Sequence, residues 1–187
     1  PANQFNNQTA DKLIKYLIKN KHWSPLEMVD VTVEIETTRD IARQMLRHRS
    51  FSFQEFSQRY ANPVNDIDSP FVLREARLQD DKNRQNSITI DVSDEESEFI
   101  VAEWLCKQRD VLEVAIDAYK WALNAGIAKE QARCVLPEGN TVSKLYMNGT
   151  IRSWIHYLES RLHESTQLEH REVAKEIAKE AKGNKRN

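Results

Sequence analysis

Arg47-His48-Arg49, seven intervening residues and Ser57, followed at once by Gln58, Arg59 and Tyr60, are the densest chemical grouping in the chain. A guanidinium offers a planar donor fork to phosphate and a flat face for stacking, so the run suits an anionic, aromatic, hydrogen-bonding ligand. Phe51, Phe53 and Phe56 lie among these polar groups. The plain alternative is a solvated charge face, in which cations near a helix C-terminus complement the macrodipole. Ser57 stands where a nucleophile could, but no His-Asp partnership is assignable to activate it, and a hydrogen-bonding role is expected instead.

The elements that must position these groups read as follows. Residues 9 to 20 carry Leu13, Ile14, Leu17 and Ile18 at helical spacing, and His22-Trp23-Ser24-Pro25 ends that helix. Val29, Val31, Val33 and Ile35 alternate with Asp30, Thr32 and Glu34, the pattern of a half-buried strand. Thr37 and Asp40 open a helix whose apolar face is Ile41, Ala42, Met45 and Leu46 and whose end falls near His48. Gln44 and Arg47 share a face of it, while His48 and Arg49 leave in other directions, so one cluster could serve two ligands.

Residues 50 to 60 read as extended or looped, residues 62 to 86 as a polar surface excursion, and Ser87 to Val92 as a short strand or a loop. Ser93 and Glu96 make a capping box for a helix of roughly thirty residues, with Val101, Trp104, Leu105, Leu112, Ala115, Tyr119 and Ala122 as its buried stripe. Gly126 is its expected C-terminal cap. A shorter helix runs through Arg133, a strand covers Thr141 to Met147, and helices cover 150 to 162 and 166 to 182, ahead of a basic, frayed tail from Lys182 to Asn187.

Charge argues against a general nucleic-acid binder, since 27 Lys and Arg face 29 Asp and Glu for a formal charge of -2. Cys106 and Cys134 are far apart and read as free thiols of a reducing compartment. The histidines show no paired ligand spacing, so no metal is expected. No signal sequence or long apolar run is present, which points to a cytoplasmic protein without membrane contact. Four Gly among 187 residues favour long helices, and no linker or internal repeat divides the chain, so residues 1–187 read as one domain. Because Pro1 is not preceded by Met, a further N-terminal segment is expected before it.

The Arg-His-Arg to Ser57 run resembles the signature of the flavin-dependent thymidylate synthases. The similarity extends through Ile41-Ala42-Arg43-Gln44 and Ser57-Gln58-Arg59-Tyr60. Further blocks match in the same order: His22-Trp23-Ser24-Pro25-Leu26-Glu27, Ala132-Arg133-Cys134-Val135-Leu136-Pro137, and Arg152 to Arg161. The wording Arg-His-Arg-Ser-Phe with Phe-Gln-Glu-Phe-Ser-Gln-Arg-Tyr is most similar to viral members, for which the location would be the host cytoplasm.

The resemblance implies an α+β fold, an antiparallel sheet packed with several long helices, assembled as a homotetramer with sites shared between subunits. It implies methylation of dUMP to dTMP, with 5,10-methylenetetrahydrofolate as carbon donor and NADPH as reductant acting through FAD. Arg161 matches the catalytic arginine that stabilises the anionic form of uracil. Gln44, Arg47, Glu55, Phe56, Ser57, Gln58, Arg59, Arg133 and Arg161 match dUMP-binding positions. Ser24, Arg47, His48, Arg49, Glu55, Arg152 and His156 match FAD-binding positions. Arg152 and His156 share a helix face, whereas His156 and Arg161 point about 140° apart, which suits flavin on one side and dUMP on another.

With no Gly-x-Gly-x-x-Gly run, the dinucleotide would be gripped by side chains rather than by a glycine loop. His22 is a second candidate neighbour of the flavin and equally a structural residue beside Trp23. The family's flavin-contacting asparagine reaches Asn148 only with about two extra residues before Arg152. Where many members have a histidine after the catalytic arginine, this chain has Ser165 with His163 nearby, so the adenine end of the site is expected to differ. Family members also carry a strand and helix ahead of this chain's first residue, so part of the sheet is expected to be absent. The competing class is a non-enzymatic nucleotide- or nucleic-acid-binding module that uses the same arginines and phenylalanines.

Overall fold

The computed structural model describes residues 9–183. In chain order its elements are α1 (Ala10–Lys19), β1 (Asp30–Thr38), α2 (Arg39–Met45), β2 (Ser52–Glu55), α3 (Pro63–Asp66), β3 (Arg77–Gln79), β4 (Ser87–Thr89), α4 (Glu95–Asn124), α5 (Lys129–Ala132), β5 (Val142–Thr150), α6 (Ile151–Arg161) and α7 (Leu168–Gly183). Of the tail expected to fray, residues 184–187 lie outside the described residues, and α7 continues through Gly183.

The alternating valines of β1 pair antiparallel along the whole of β5, from Asp30 opposite Thr150 to Thr38 opposite Val142. β2 takes the other side of β5, Ser52 opposite Asn148, which gives the order β1-β5-β2. Only the C-terminal half of β1 is covered. Ile35 is buried, whereas Val29 and Val31 stay exposed, so the expected half-buried strand holds for part of its length. Helices α2, α6 and α7 close the core over this sheet, with Ile35, Ile41, Met45, Leu145, Met147 and Trp154 among its buried members. Each such side chain stabilises the fold by about 1.5–3 kcal/mol.

The boundaries differ from the sequence pattern where side chains intervene. α2 ends at Met45, because the Arg47 N–H bonds to Gln44 O at 3.4 Å and the His48 N–H to Met45 O at 3.0 Å, tightening the last turn. His48 therefore lies outside the helix. α4 has 30 residues, but Asp94, not Ser93, caps it by accepting from the Ser97 N–H at 2.8 Å. Its stripe is also shifted: Trp104 is exposed and Gln108 is buried. Gln108 can be buried because its amide both accepts from the Arg74 N–H and donates to the Arg74 carbonyl, each at 2.8 Å.

Gly126 ends α4 at φ +82, with its own N–H bonded to Leu123 O and the Ile127 N–H to Ala122 O. The 62–86 stretch is less superficial than its polarity implied. Pro63 and Ile67 are buried, and β3 pairs with β4 as a separate antiparallel ribbon. Arg74 ties this stretch to the domain through Thr38 at 2.6 Å and Asp40 at 2.8 Å.

Candidate active site

The Arg-His-Arg run enters the core on an aromatic hinge. Phe51 lays its ring over Gly149 of β5 and packs edge-on against Trp154 and Tyr157 of α6. A Cβ on residue 149 would fall 2.5 Å from Phe51 Cδ1, so only glycine admits the ring. This packing brings the turn after α2 against α6, with the His48 and Tyr157 rings 5.0 Å apart. Arg161, on the last turn of α6, donates from Nε to His48 Nε2 at 3.0 Å. Burial first, and Arg161 second, lower the His48 pKa from its ordinary value, which keeps the ring neutral and able to accept.

Of the residues expected to hold dUMP, Arg59 and Arg133 converge on Glu130. Arg59 pairs with its carboxylate at 3.1 Å, and Arg133 Nε donates to its backbone carbonyl at 3.3 Å. Gln44 lies deeper, donating from Nε2 to Gln167 at 2.7 Å. Gln58 is buried, and its Nε2 finds no acceptor among the described residues. Ser57 and Phe56 are half-buried; the Ser57 carbonyl accepts from the Tyr60 and Ala61 N–H groups, forming the turn that presents Arg59. Glu55 turns one oxygen inward, where Oε1 accepts from Arg39 at 3.3 Å and from Ser143 at 3.0 Å.

The residues expected to hold flavin form two groups. Ser24 opens a short 3-10 turn over α6, where Trp23 packs on His156 with ring centroids 4.8 Å apart and Glu27 pairs with Arg152. Ser24, Arg152 and His156 are thereby brought to one locality. Arg47 and Arg49 are exposed, and neither has an ion pair among the described residues. Asn148 donates to Thr32 at 2.8 Å within the sheet, His22 packs edge-on with Tyr16, and His163 bonds Ser165 at 2.8 Å.

Sequence reasoning missed three groups. Arg39 is buried and secures both Glu55 and Glu138. His170 is fully buried, meets the Tyr157 hydroxyl at 3.0 Å, and has its pKa lowered to about 4, first by burial and then by Arg161 and His48. Glu169 pairs with Arg74 at 3.0 Å and with Arg77. The available signal for His170 was its place on the apolar face of α7, in series with Ala174 and Ile177.

Fold and site together define an α+β protein in which arginine side chains, rather than a glycine loop, make the candidate site. Residues 2–184 match the family model described as thymidylate synthase complementing protein. A probable flavin-dependent thymidylate synthase of Paramecium bursaria Chlorella virus 1 is 48% identical over 174 residues, 93% of this chain and 76% of the relative. The flavin-dependent thymidylate synthase of Synechocystis sp. is 50% identical, covering 90% and 73%. Among solved structures, a UMP/dUMP methylase PolB from Streptomyces cacaoi bound with 5-Br dUMP superposes with a TM-score of 0.74 at 27% identity, covering 96% of this chain and 76% of that one. The chain belongs to the flavin-dependent thymidylate synthase family. It is thus an enzyme, and the likeness to viral members expected from its wording is met.

Proposed function

We propose that the protein methylates dUMP to dTMP, taking the methylene carbon from 5,10-methylenetetrahydrofolate and reducing equivalents from NADPH, with FAD as its flavin. The observation that carries the reading is the bond from Arg161 to His48. It joins the cation expected to activate uracil to the signature expected to hold the reactants. The chemistry of the donor set fits a flavin dinucleotide: Arg47 and Arg49, without ion pairs among the described residues, offer guanidinium groups for its diphosphate, and Ser24, Arg152 and His156 cluster by Trp23 on α6. When bound, the flavin supplies hydride transfer, drawn from NADPH, that reduces the transferred methylene to methyl.

The chain's own residues do the rest. Arg59 and Arg133 exchange Glu130 for the dUMP phosphate. The terminal guanidinium nitrogens of Arg161, with Nε committed to His48, stabilise negative charge on the uracil carbonyl and N3, which makes the ring carbon electron-rich. Gln44 and Gln58 add amide donors, and Ser57 hydrogen-bonds the substrate. The methylene carbon gains a bond to the uracil ring carbon, both of its bonds to folate nitrogens break, and the displaced ring proton leaves; the bound flavin would supply the hydride that completes the methyl group.

A homotetramer with shared sites accounts for two further features. α4 exposes Phe99, Ile100, Trp104, Val111, Val114 and Trp121 along one side, an apolar surface suited to another subunit. Clefts of about 760 and 640 Å3 among the described residues are lined without Arg47, Arg59, Arg133 or Arg161, which suits a site that a neighbouring copy completes over those arginines. No described helix is long and apolar enough to cross a membrane. The test is the purified protein itself: it is yellow and releases FAD on denaturation. Colourless protein that cannot be reconstituted with FAD would overturn the reading.

A further inference from the structure

Five side chains behind the signature form a hydrogen-bond line whose direction is fixed at one end. Glu169 is the fixed end. Its Oε1 pairs with Arg74 at 3.0 Å and with Arg77, and its Oε2 accepts from Gln167 Nε2 at 2.9 Å. Burial alone would raise the Glu169 pKa, but its own backbone N–H, Gln167 and Arg74 lower it, so the carboxylate is ionised and only accepts.

From there each orientation follows. Gln167 must turn its amide nitrogen to Glu169, which leaves Oε1 facing Gln44, 2.7 Å from Gln44 Nε2. Gln44 must then donate, which turns its own Oε1 toward His170 Nδ1 at 3.4 Å. An oxygen there requires the Nδ1–H tautomer, so His170 Nε2 is the acceptor for the Tyr157 O–H at 3.0 Å. His170 and Tyr157 are fully buried, and neither is used by the chemistry above.

We infer that Tyr157 and His170 are positioning residues that lock the Gln44 carboxamide with its oxygen inward, so that Gln44 presents only an N–H donor to the nucleotide. A buried neutral imidazole is well suited to this because its two nitrogens differ. Glu169 and Gln167 set the amide orientation, the Nδ1–H grips the Gln44 oxygen, and the Tyr157 O–H holds the ring by donating to Nε2. Removing the tyrosine hydroxyl leaves Nε2 without that donor and lets the ring move off Gln44 Oε1. Gln44 is then held by Gln167 alone, and its N–H is no longer fixed toward the nucleotide. The inference rests on the proposed binding of dUMP at Gln44.

The test is a double-mutant cycle on the full-length protein, with dUMP affinity read by calorimetry and unfolding temperature read in parallel. Tyr157→Phe weakens dUMP about tenfold, a differential interaction of about 1.4 kcal/mol. His170→Leu does the same, while His170→Asn, which keeps a donor near Nδ1, recovers most of the loss. In a Gln44→Ala background none of the three changes dUMP affinity further, although each still lowers the unfolding temperature as before. If the losses persist unchanged in that background, the two residues act on packing alone and the inference is overturned. Should His170→Leu fail to fold, Tyr157→Phe, which keeps its ring, carries the cycle alone. A wild-type protein that binds no dUMP contradicts the proposed function instead.

Discussion

Arg161 Nε donates to His48 Nε2 at 3.0 Å, across 113 residues of sequence. The bond fixes one edge of the guanidinium and leaves its terminal nitrogens for a ligand. It also requires a neutral imidazole, which the buried setting of His48 and the repulsion from Arg161 supply. The signature and the late helix thus operate as one unit, in which the first holds the second.

Arg161→Lys removes the Nε donor and the planar fork while keeping a positive charge. We expect kcat to fall by about 10²–10³-fold, the cost of losing one oxyanion-type donor, while KM for dUMP changes much less. Steady-state kinetics with dUMP as the varied substrate check the split.

Gly149→Ala places a methyl group where the Phe51 ring now lies, with contacts of 2.5 and 2.7 Å to its Cδ1 and Cε1. The overpacking costs about 1–3 kcal/mol and displaces the turn carrying Arg47 to Arg49. Thermal unfolding should show the loss of stability, and the variant should retain less flavin through gel filtration than the parent.

Arg59→Ala and Arg133→Ala each remove a cation from the Glu130 locality. If these arginines hold the phosphate, each variant weakens dUMP binding by about 10- to 100-fold, the worth of one charge-assisted hydrogen bond. Deoxyuridine, which lacks the phosphate, should be affected far less. Parallel titrations with the two ligands make the comparison.

His170 gives the fold an acid limit. Its folded pKa of about 4 lies below the ordinary 6.5, so the unfolded chain takes up the proton first as pH falls. Its neutral burial contributes fully above about pH 6.5. The contribution is then lost progressively down to about pH 4, by about 3 kcal/mol over that window. Denaturant melts from pH 7 to 4.5 should show this slope in the wild type and a shallower one in His170→Asn.

The elements legible in the sequence were those with an unbroken period and local punctuation. The thirty-residue α4, its Gly126 cap, and α6 and α7 all follow from apolar spacing and turn residues. What escaped depended on partners distant in sequence. Nothing beside Gln108 announces that the Arg74 backbone will satisfy its amide, so Gln108 is missing from the stripe expected for α4. His170 lies one helix away from Tyr157 and has no polar spacing to betray it.

The candidate site was legible for a different reason. Its residues lie in short ordered blocks that resemble the family's, so Arg47, Arg59, Arg133 and Arg161 could be named as candidates before any contact was known. That Arg59 and Arg133 meet at Glu130, and that Arg161 leans on His48, are tertiary facts that no spacing within a block contains.

The most direct measurement is product formation. The FAD-loaded protein is incubated with dUMP, 5,10-methylenetetrahydrofolate and NADPH, and dTMP is resolved by chromatography. The account predicts dTMP that accumulates over many turnovers, requires all three substrates and is nearly abolished in Arg161→Lys. A protein that holds FAD and binds dUMP yet forms no dTMP, or that forms it undiminished without Arg161, would contradict the account.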